Sequence, residues 1–323
     1  MTTKHLVLEI LEKNRDKSVS GEYIADLLSI SRNMIWRAIK DLRNDGYLIE
    51  AITNKGYRLT GDNDIISVEG IKPFLLLAGI SESIMVYAEI DSTNREAKAQ
   101  AINKAAHGTV IISNSQTSGK GRHNRDFYSP PGSGLYMSFI LHSSVLRFTN
   151  PTAITAYAAL CVCEVIENIC DMKPSIKWVN DIFLNGKKIG GILTEAITDF
   201  ESGGVHEIIL GIGINISTKT EDFPKEIKEY ASSIYPDGNP HITRNRLAAE
   251  IINRILLSDT PAETELLERY KKRLFMLGAN ITVIQGRERY TAKALDINEH
   301  GHLIVQEQNG EIKTLSSGEI TVF

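Results

Sequence analysis

The sequence is poor in the features that mark several large classes of proteins. It has three cysteines, Cys161, Cys163 and Cys170, which are too few for a disulfide scaffold. No apolar run comes close to the roughly 20 residues of a membrane span, and the run at residues 74–80 is an example of the short apolar runs present. The net charge of −4 argues against a protein that coats nucleic acid or membrane with its whole surface. We therefore expect a cytoplasmic protein with no membrane partner.

The first segment, residues 1–64, is typical of a small helical domain with a hairpin. Three amphipathic helices are predicted, with Ser20 and Ser31 as N-caps and Gly46 ending the third. Two short strands follow around the turn Asn54-Lys55-Gly56. The inward face of the second helix is predicted to hold Ile24, Leu27 and Leu28. This order of elements predicts a winged helix-turn-helix domain.

The third helix carries the candidate DNA-binding face. Asn33, Arg37 and Lys40 lie opposite its apolar side, and Arg32 and Trp36 lie on the flanks. Such a helix fits the major groove, where its polar face reaches base edges. The alternative is a protein-interaction domain with a solvated charged face.

The rest of the chain divides into two further predicted domains. Residues 65–272 mix strand-like and helical runs without regular alternation, which predicts a mixed α/β domain. In the helix over 151–170 the cysteines recur with apolar residues, so we interpret them as core residues. Residues 273–323 are short strands parted by turns, typical of a small β-barrel or sandwich.

A glycine-rich basic loop is the first candidate for chemistry. Gly119 and Gly121 flank Lys120, and Arg122 and Arg125 follow. Glycines let a backbone approach a ligand closely, and the cations neutralise a phosphate or a developing negative charge. We predict a mobile loop that becomes ordered around an anion, although a solvated basic loop has the same composition.

A predicted hairpin over 177–195 supplies further candidates. Strand alternation places Lys187 and Lys188 on opposite faces, so one of them can point inward toward an anion. Gly190 and Gly191 indicate close approach of a ligand or another backbone. The alternative is that both lysines are solvated turn residues. Asn180 and Asp181 separate two strand-like runs within this segment.

Two more stretches offer polar groups. Gly211 and Asn215 belong to an apolar strand, and an asparagine pairs well with the edge of adenine. That asparagine could equally bond only to neighbouring backbone. Residues 89–94 end a predicted strand and offer the hydroxyl and amide groups of Ser92, Thr93 and Asn94. The alternative interpretation is an ordinary helix N-cap. The sequence shows no pattern of a Ser-His-Asp triad, a P-loop or a protein-held metal.

Five motifs in this order resemble the bifunctional biotin–protein ligases that also repress the biotin operon, the BirA family. They are DSTN (91–94), QTSGKGR (116–122), KWVND (177–181), KIGGIL (188–193) and GIGIN (211–215). The chain departs from the family pattern at Lys120, where Arg is commoner, at Phe127, where Trp is usual, and at Val179, where Pro is usual. A phenylalanine offers a smaller stacking face than a tryptophan.

The resemblance implies a fold and a function. It implies a central mixed-sheet domain of the biotin/lipoyl ligase type and a C-terminal SH3-like β-barrel. The activity implied is condensation of biotin with ATP and Mg²⁺ to biotinyl-5′-AMP, followed by transfer of biotin to a lysine of the biotin carboxyl carrier domain of acetyl-CoA carboxylase or another biotin-dependent carboxylase. Biotinyl-5′-AMP would also act as corepressor of a homodimer on operator DNA.

The resemblance also assigns roles to residues of this sequence. Arg122 and Lys188 are the expected catalytic cations, with Asp181 contacting Mg²⁺ or the acceptor lysine. Phe127 is expected to stack on adenine and Asn215 to bond its edge. The expected binding set for biotin and the adenylate is Ser92, Thr93, Asn94, Gln116, Lys120, Gly121, Arg122, Arg125, Phe127, Lys188, Gly190, Gly191, Gly211 and Asn215. Two alternatives remain open: a winged-helix regulator with a non-catalytic metabolite sensor, and a lipoate ligase.

Overall fold

The computed structural model describes residues 2–61, 63–147, 150–198, 205–257, 261–286 and 288–322. In these ranges the chain forms an N-terminal helical unit with a two-stranded hairpin, a seven-stranded mixed sheet with helices, and a five-stranded C-terminal sheet. The predicted fold class is confirmed.

The N-terminal unit has the predicted order of elements. These are α1 (Thr3–Lys13), α2 (Gly21–Leu28), α3 (Arg32–Asn44), β1 (Ile49–Ile52) and β2 (Gly56–Leu59). The hydroxyl of Ser20 accepts from the Tyr23 N–H and that of Ser31 accepts from the Met34 N–H, so both predicted caps are present. The prediction for Leu27 is wrong: its side chain is 57% exposed. The inward side of this two-turn helix is already filled by Ile24 and Ala25.

The central sheet has the strand order β3-β4-β5-β9-β8-β7-β6. Only β3 and β4 run parallel among its neighbouring strands in the described part of the chain. The strands are β3 (Ile84–Tyr87), β4 (Val110–Ser113), β5 (Gly134–His142), β6 (Ser175–Lys177), β7 (Asp181–Leu184), β8 (Lys187–Thr198) and β9 (Val205–Asn215). The helices are α4 (Val68–Ile71), α5 (Thr93–Ile102), α6 (Pro151–Cys170), α7 (Arg244–Leu257) and α8 (Glu263–Lys271).

The two faces of this sheet have different functions in the fold. Alternate residues of β5 and β9, such as Phe139 and Leu210, join the main core with α6 and α7. The residues between them, such as Ile140 and Ile209, pack with α5. Toward the ends of β5 and β9 that carry Gly134 and Asn215, the α5 face holds small and polar residues instead. A cavity therefore opens on that face.

Helix α6 corrects one expectation from the sequence. By length and composition this helix could cross a membrane, contrary to the prediction that no such run is present. Its buried residues extend from Ala153 to Ile166, and it packs on β8, α7 and α8. The apolar character of α6 is that of a central core helix. Cys161 and Cys163 are fully buried in it, as predicted.

The C-terminal sheet has the order β13-β12-β11-β10-β14. Its strands are β10 (Asn280–Gln285), β11 (Glu288–Ile297), β12 (Leu303–Glu307), β13 (Ile312–Leu315) and β14 (Glu319–Val322). The buried indole of Trp178 donates to the Gly301 carbonyl at 3.0 Å, which ties this sheet to the central domain.

The N-terminal unit is tied to the central domain by ion pairs. Nζ of Lys72 lies 2.9 Å from the carboxylate of Glu9 on α1. Further along, the buried Arg244 bonds the Asp64 carboxylate and, at 2.8 Å, Oδ1 of Asn114. Asp64, which lies between the N-terminal unit and the central domain, is therefore held near Asn114, the residue that follows β4.

Candidate active site

One cavity of about 320 Å³ collects most of the predicted site residues. Its walls come from the N-terminus of α5, the basic loop, strands β8 and β9, the segment 223–231, and residues 318–321 of the C-terminal sheet. Parts of the chain that are far apart in sequence thus enclose one space. Such a concave site with a few convergent polar groups is the usual form of a small-molecule site.

The end wall of the cavity is a connected set of hydrogen bonds. The Thr93 N–H donates to Oε1 of Gln116 at 2.8 Å, and Nε2 of Gln116 donates to the Ser129 hydroxyl at 2.8 Å. The Ser129 hydroxyl in turn donates to the Phe127 carbonyl at 2.9 Å. These bonds fix which end of the Gln116 amide faces the cavity.

The basic loop closes on itself as a small hairpin. The Phe127 N–H donates to the Gly119 carbonyl at 2.9 Å and the Gly121 N–H donates to the Arg125 carbonyl at 2.7 Å. Lys120 and Asp126 form a bridge between the two arms. The loop therefore has a defined conformation in this structure, and its predicted mobility stays a prediction.

Four charged groups meet beside this loop. Nζ of Lys188 lies 2.6 Å from Oδ1 of Asp181, and Nζ of Lys177 lies 3.1 Å from Oδ2 of the same carboxylate. The guanidinium of Arg122 donates to Oδ1 of Asn180 at 3.3 Å. Burial would raise the pKa of Asp181, but the charges of Lys188 and Lys177 outweigh it and hold that pKa below its usual value. Burial lowers the pKa of Arg122, partly offset by the charge of Asp181.

A bulge in β8 decides which lysine enters the cavity. Ile182 pairs with Gly190 but Phe183 pairs with Lys188, so Ile189 is an extra residue in the ladder. Without the bulge, Lys187 would share a face with Gly191. With it, Lys188 does: a Cβ added to Gly191 would lie 3.6 Å from Cε and Nζ of Lys188.

The floor of the cavity includes two glycines of β9, Gly211 and Gly213, each covered by a side chain from another segment. A Cβ at Gly211 would lie 2.0 Å from Oδ1 of Asn94, and a Cβ at Gly213 would lie 2.6 Å from the Phe127 ring. Larger residues would displace both side chains. Asn215 is buried and donates from Nδ2 to the Ser232 carbonyl at 2.9 Å, while its Oδ1 has no hydrogen-bond partner among the described residues. An unpartnered carbonyl in a cavity wall is a ready acceptor for a ligand N–H.

Of three further predicted binding residues, Gly190 lies outside the cavity wall, whereas Arg125 and Asn94 belong to the wall and also bond other protein groups. Gly190 is not part of the wall, because the Gly213 carbonyl occupies the space that its Cβ would take, 2.6 Å away. The Arg125 side chain is 70% exposed and pairs with Glu319 of β14. The Asn94 amide bonds protein groups at both ends, Glu195 and Ser138. The close approach predicted at Gly190 is thus to another strand.

With Asn94 and Arg125, the remaining members of the predicted set are all in the cavity wall: Ser92, Thr93, Gln116, Lys120, Gly121, Arg122, Phe127, Lys188, Gly191, Gly211 and Asn215. Sequence reasoning missed the roles of Lys177, Asn180 and Glu319 in this wall. Lys177 and Asn180 belong to the quoted motif KWVND, and membership in that motif was the sequence signal that could have identified them. No sequence signal identified Glu319, because only the fold brings β14 to the loop.

The predicted DNA-binding face is exposed in the structure. All five residues, Arg32, Asn33, Trp36, Arg37 and Lys40, are solvent-exposed on α3. Nζ of Lys40 lies 5.5 Å from the centre of the Trp36 ring. The opposite side of α3 is buried through Ile35, Ala38, Ile39 and Leu42.

Comparison with known proteins matches each of the three parts. The "Biotin/lipoate A/B protein ligase family" matches residues 86–215, an "HTH domain" matches residues 3–58, and the "Biotin protein ligase C terminal domain" matches residues 276–322. The bifunctional ligase/repressor BirA of Bacillus spizizenii is 33% identical over 99% of this chain and 98% of its own. The Escherichia coli BirA is 27% identical over 94% of this chain and 92% of its own.

The chain belongs to the biotin protein ligase family. Its organisation is that of the bifunctional ligase/repressors in this family. Among solved structures, the biotin protein ligase from Aquifex aeolicus in complex with biotin and ATP is similar, with a TM-score of 0.62 and 27% identity. It covers 74% of this chain and 98% of its own.

A magnesium ion does not fit the residues of this biotin protein ligase as a protein-held ion. The described residues contain no group of three or more His, Cys, Asp or Glu side chains that could hold a metal. Both oxygens of Asp181 already bond ammonium groups. The expectation that Asp181 contacts Mg²⁺ or the acceptor lysine stays a prediction.

Proposed function

We propose that this protein makes biotinyl-5′-AMP from biotin and ATP, transfers the biotinyl group to a carrier-protein lysine, and represses transcription when the adenylate accumulates. The observation that carries this proposal is the cavity itself. Two cations, Arg122 and Lys188, line it together with hydroxyl and amide groups that would suit a small neutral head group.

The first step joins two anions and therefore needs fixed positive charge. A biotin carboxylate oxygen attacks the α-phosphorus of ATP, the bond to the β-phosphate breaks, and pyrophosphate leaves. Lys188 and Arg122 would offset the charge that builds between carboxylate and phosphate. Asp181 would hold the ammonium of Lys188 in place through the 2.6 Å contact. Mg²⁺ would enter on the triphosphate, as part of the substrate.

The two ends of the adenylate would take opposite parts of the cavity. Ser92, Thr93 and Gln116 would bind the ureido ring of biotin, and the backbone of Lys120 and Gly121 would follow its chain. Asn215 would accept from the adenine amine through its unpartnered Oδ1. Phe127, which now lies over Gly213, would stack on the adenine ring.

Transfer needs a route for the acceptor lysine. Its neutral amine attacks the carbonyl carbon of the mixed anhydride, AMP leaves, and the amine loses a proton. Asp181, a residue of the cavity wall, would contact the incoming amine there. The partner would be the carrier domain of acetyl-CoA carboxylase or another biotin-dependent carboxylase.

Repression would use the exposed face of α3 and a dimer. Asn33, Arg37 and Lys40, which are exposed on α3, would enter a major groove. In the described residues, the part of β8 from 193 to 198 pairs in the sheet only with β9, so its other edge is open. An open edge can pair with the same strand of a second copy, which supports a homodimer. The three free cysteines agree with a reducing, cytoplasmic location.

Pyrophosphate release tests the proposed activity. Purified protein is incubated with ATP and either biotin or lipoate, with and without a carrier domain. We expect pyrophosphate with biotin alone, and AMP release with covalent labelling of the carrier lysine when the carrier is added. Pyrophosphate with lipoate alone would identify a lipoate ligase, and biotin binding without pyrophosphate would identify a non-catalytic sensor.

A further inference from the structure

We propose that Tyr270 is a positioning residue for adenylate formation, which keeps Arg122 at the cavity by holding the turn 178–180 between β6 and β7. Tyr270 lies on α8 in the main core and is outside the cavity wall. It would therefore act through the main chain of the turn, without touching the substrates. The proposal rests on the proposed synthesis of biotinyl-5′-AMP in this cavity.

Tyr270 donates a buried hydrogen bond to this turn. Its hydroxyl lies 2.7 Å from the Val179 carbonyl oxygen, Tyr270 is fully buried, and Val179 is 6% exposed. Burial raises the pKa of Tyr270 well above its usual value, and the charge of Arg122 opposes this effect only in part. The hydroxyl therefore keeps its hydrogen at neutral pH and stays a donor.

The Val179 carbonyl belongs to the peptide unit that leads into Asn180. Because a peptide unit is planar, the direction of this carbonyl also sets the direction of the Asn180 N–H. Beyond that peptide, Asn180 is bonded to β8: its carbonyl accepts from the Ile192 N–H and its Nδ2 donates to the Ile192 carbonyl, both at 3.0 Å. The turn is thus held by two separate elements, α8 through Tyr270 and β8 through Ile192.

The side chain of Asn180 connects this turn to the loop cation. The Ile192 carbonyl only accepts, so the NH₂ end of the Asn180 amide faces β8 and Oδ1 faces the loop. The guanidinium of Arg122 donates to that oxygen at 3.3 Å. Arg122 is therefore held at the cavity by a residue whose main chain is fixed on one side by Tyr270.

Removing the Tyr270 hydroxyl would leave the Val179 carbonyl buried without this donor, which is costly. The guanidinium of Arg122, which already contacts the next residue, Asn180, would turn toward the carbonyl. It would then no longer offset the charge that builds between carboxylate and phosphate. The hydrogen bonds at the N-terminus of α5, where biotin is expected to bind, would stay as they are. The defect would lie in kcat and not in the KM for biotin.

Steady-state kinetics of biotin-dependent pyrophosphate release by the full chain test the proposal. Tyr270→Phe keeps the ring and removes only the hydroxyl, and we expect kcat to fall about tenfold with an unchanged KM for biotin. Tyr157→Phe is the matched control, because its buried hydroxyl also bonds backbone carbonyls, those of Arg254 and Ile255, outside the cavity wall. Both variants should melt below the parent, since each loses a buried hydrogen bond, but Tyr157→Phe should keep the parental kcat.

A double-mutant cycle separates positioning from a general loss of stability. In an Arg122→Gly background, Tyr270→Phe should lower kcat by at most about twofold, because the cation through which Tyr270 acts is already absent. A tenfold loss in both backgrounds, a tenfold loss in Tyr157→Phe, or a parental kcat in Tyr270→Phe would overturn the proposal. If the parent itself releases no pyrophosphate, the proposed function fails, and this inference fails with it.

Discussion

Lys188 and Asp181 form an ion pair of 2.6 Å that lies on the wall of the cavity, and the bulge at Ile189 brings them together. Asp181 starts β7 and Lys188 is the second residue of the return strand β8, so the pair spans one hairpin. The neighbouring Lys187 points away from this wall. Two adjacent lysines of the same charge therefore have different environments.

The first prediction follows from this difference. Lys188→Ala removes a preorganised cation and should lower the rate of biotin-dependent pyrophosphate release about 10²–10³-fold, or about 2.7–4 kcal/mol. Lys187→Ala is the matched control and should keep the parental rate, since it is outside the cavity wall. Both are measured at saturating biotin and ATP. If Lys187→Ala is the inactive variant, the assignment of Lys188 is wrong.

Local sequence signals predicted much of the fold. Ser20 and Ser31 cap their helices, and the turn at Asn54-Lys55-Gly56 joins β1 and β2, because capping and turn chemistry act over a few residues. Alternation alone left Lys187 and Lys188 undecided, since a bulge depends on how β7 and β8 pair. The motif resemblance selected Lys188.

Contacts between distant segments were beyond the sequence. Arg125 was expected in the binding site and does line the cavity, but its ion pair with Glu319, nearly two hundred residues later, was not predicted. Gly190 was expected at a ligand but faces the Gly213 carbonyl. A glycine in a strand or an arginine in a loop indicates that another group lies close to it. Which group that is depends on how the sheets pack, and the sequence does not show this.

The second prediction concerns the loop cation Arg122. Arg122→Gly should speed dissociation of the bound adenylate about 10–100-fold, because a hydrogen bond to a charged group contributes about 1.5–3 kcal/mol. The melting temperature of the ligand-free protein should change little, since the guanidinium makes one 3.3 Å contact, to Asn180. Adenylate off-rates and melting curves are measured on the same samples. An off-rate equal to that of the parent would remove Arg122 from the site.

The third prediction concerns the thiols of α6. Burial raises the pKa of Cys161 and of Cys163 to about 12, so almost no thiolate is present at pH 8. We expect neither to react with iodoacetamide in the folded protein, and both to react after denaturation. Cys170 is partly exposed and serves as the internal comparison, although burial also raises its pKa. Peptide mapping of the alkylated sites gives the result, and rapid labelling of Cys161 in folded protein would contradict it.

The fourth prediction concerns the exposed face of α3. Arg37→Ala should weaken operator binding by about 1–3 kcal/mol if Arg37 reads a base, and the loss should depend on the base pair at one position of the site. Lys17→Ala removes an equal charge from an exposed position between α1 and α2, outside this face, and serves as the control. Binding is measured by fluorescence anisotropy on the operator and on single-base variants at fixed salt, because phosphate contacts make affinity depend on salt. A loss that is equal on every sequence would assign Arg37 to a phosphate. If neither Arg37→Ala nor Lys17→Ala weakens operator binding, the base-reading face is not the one formed by Asn33, Arg37 and Lys40.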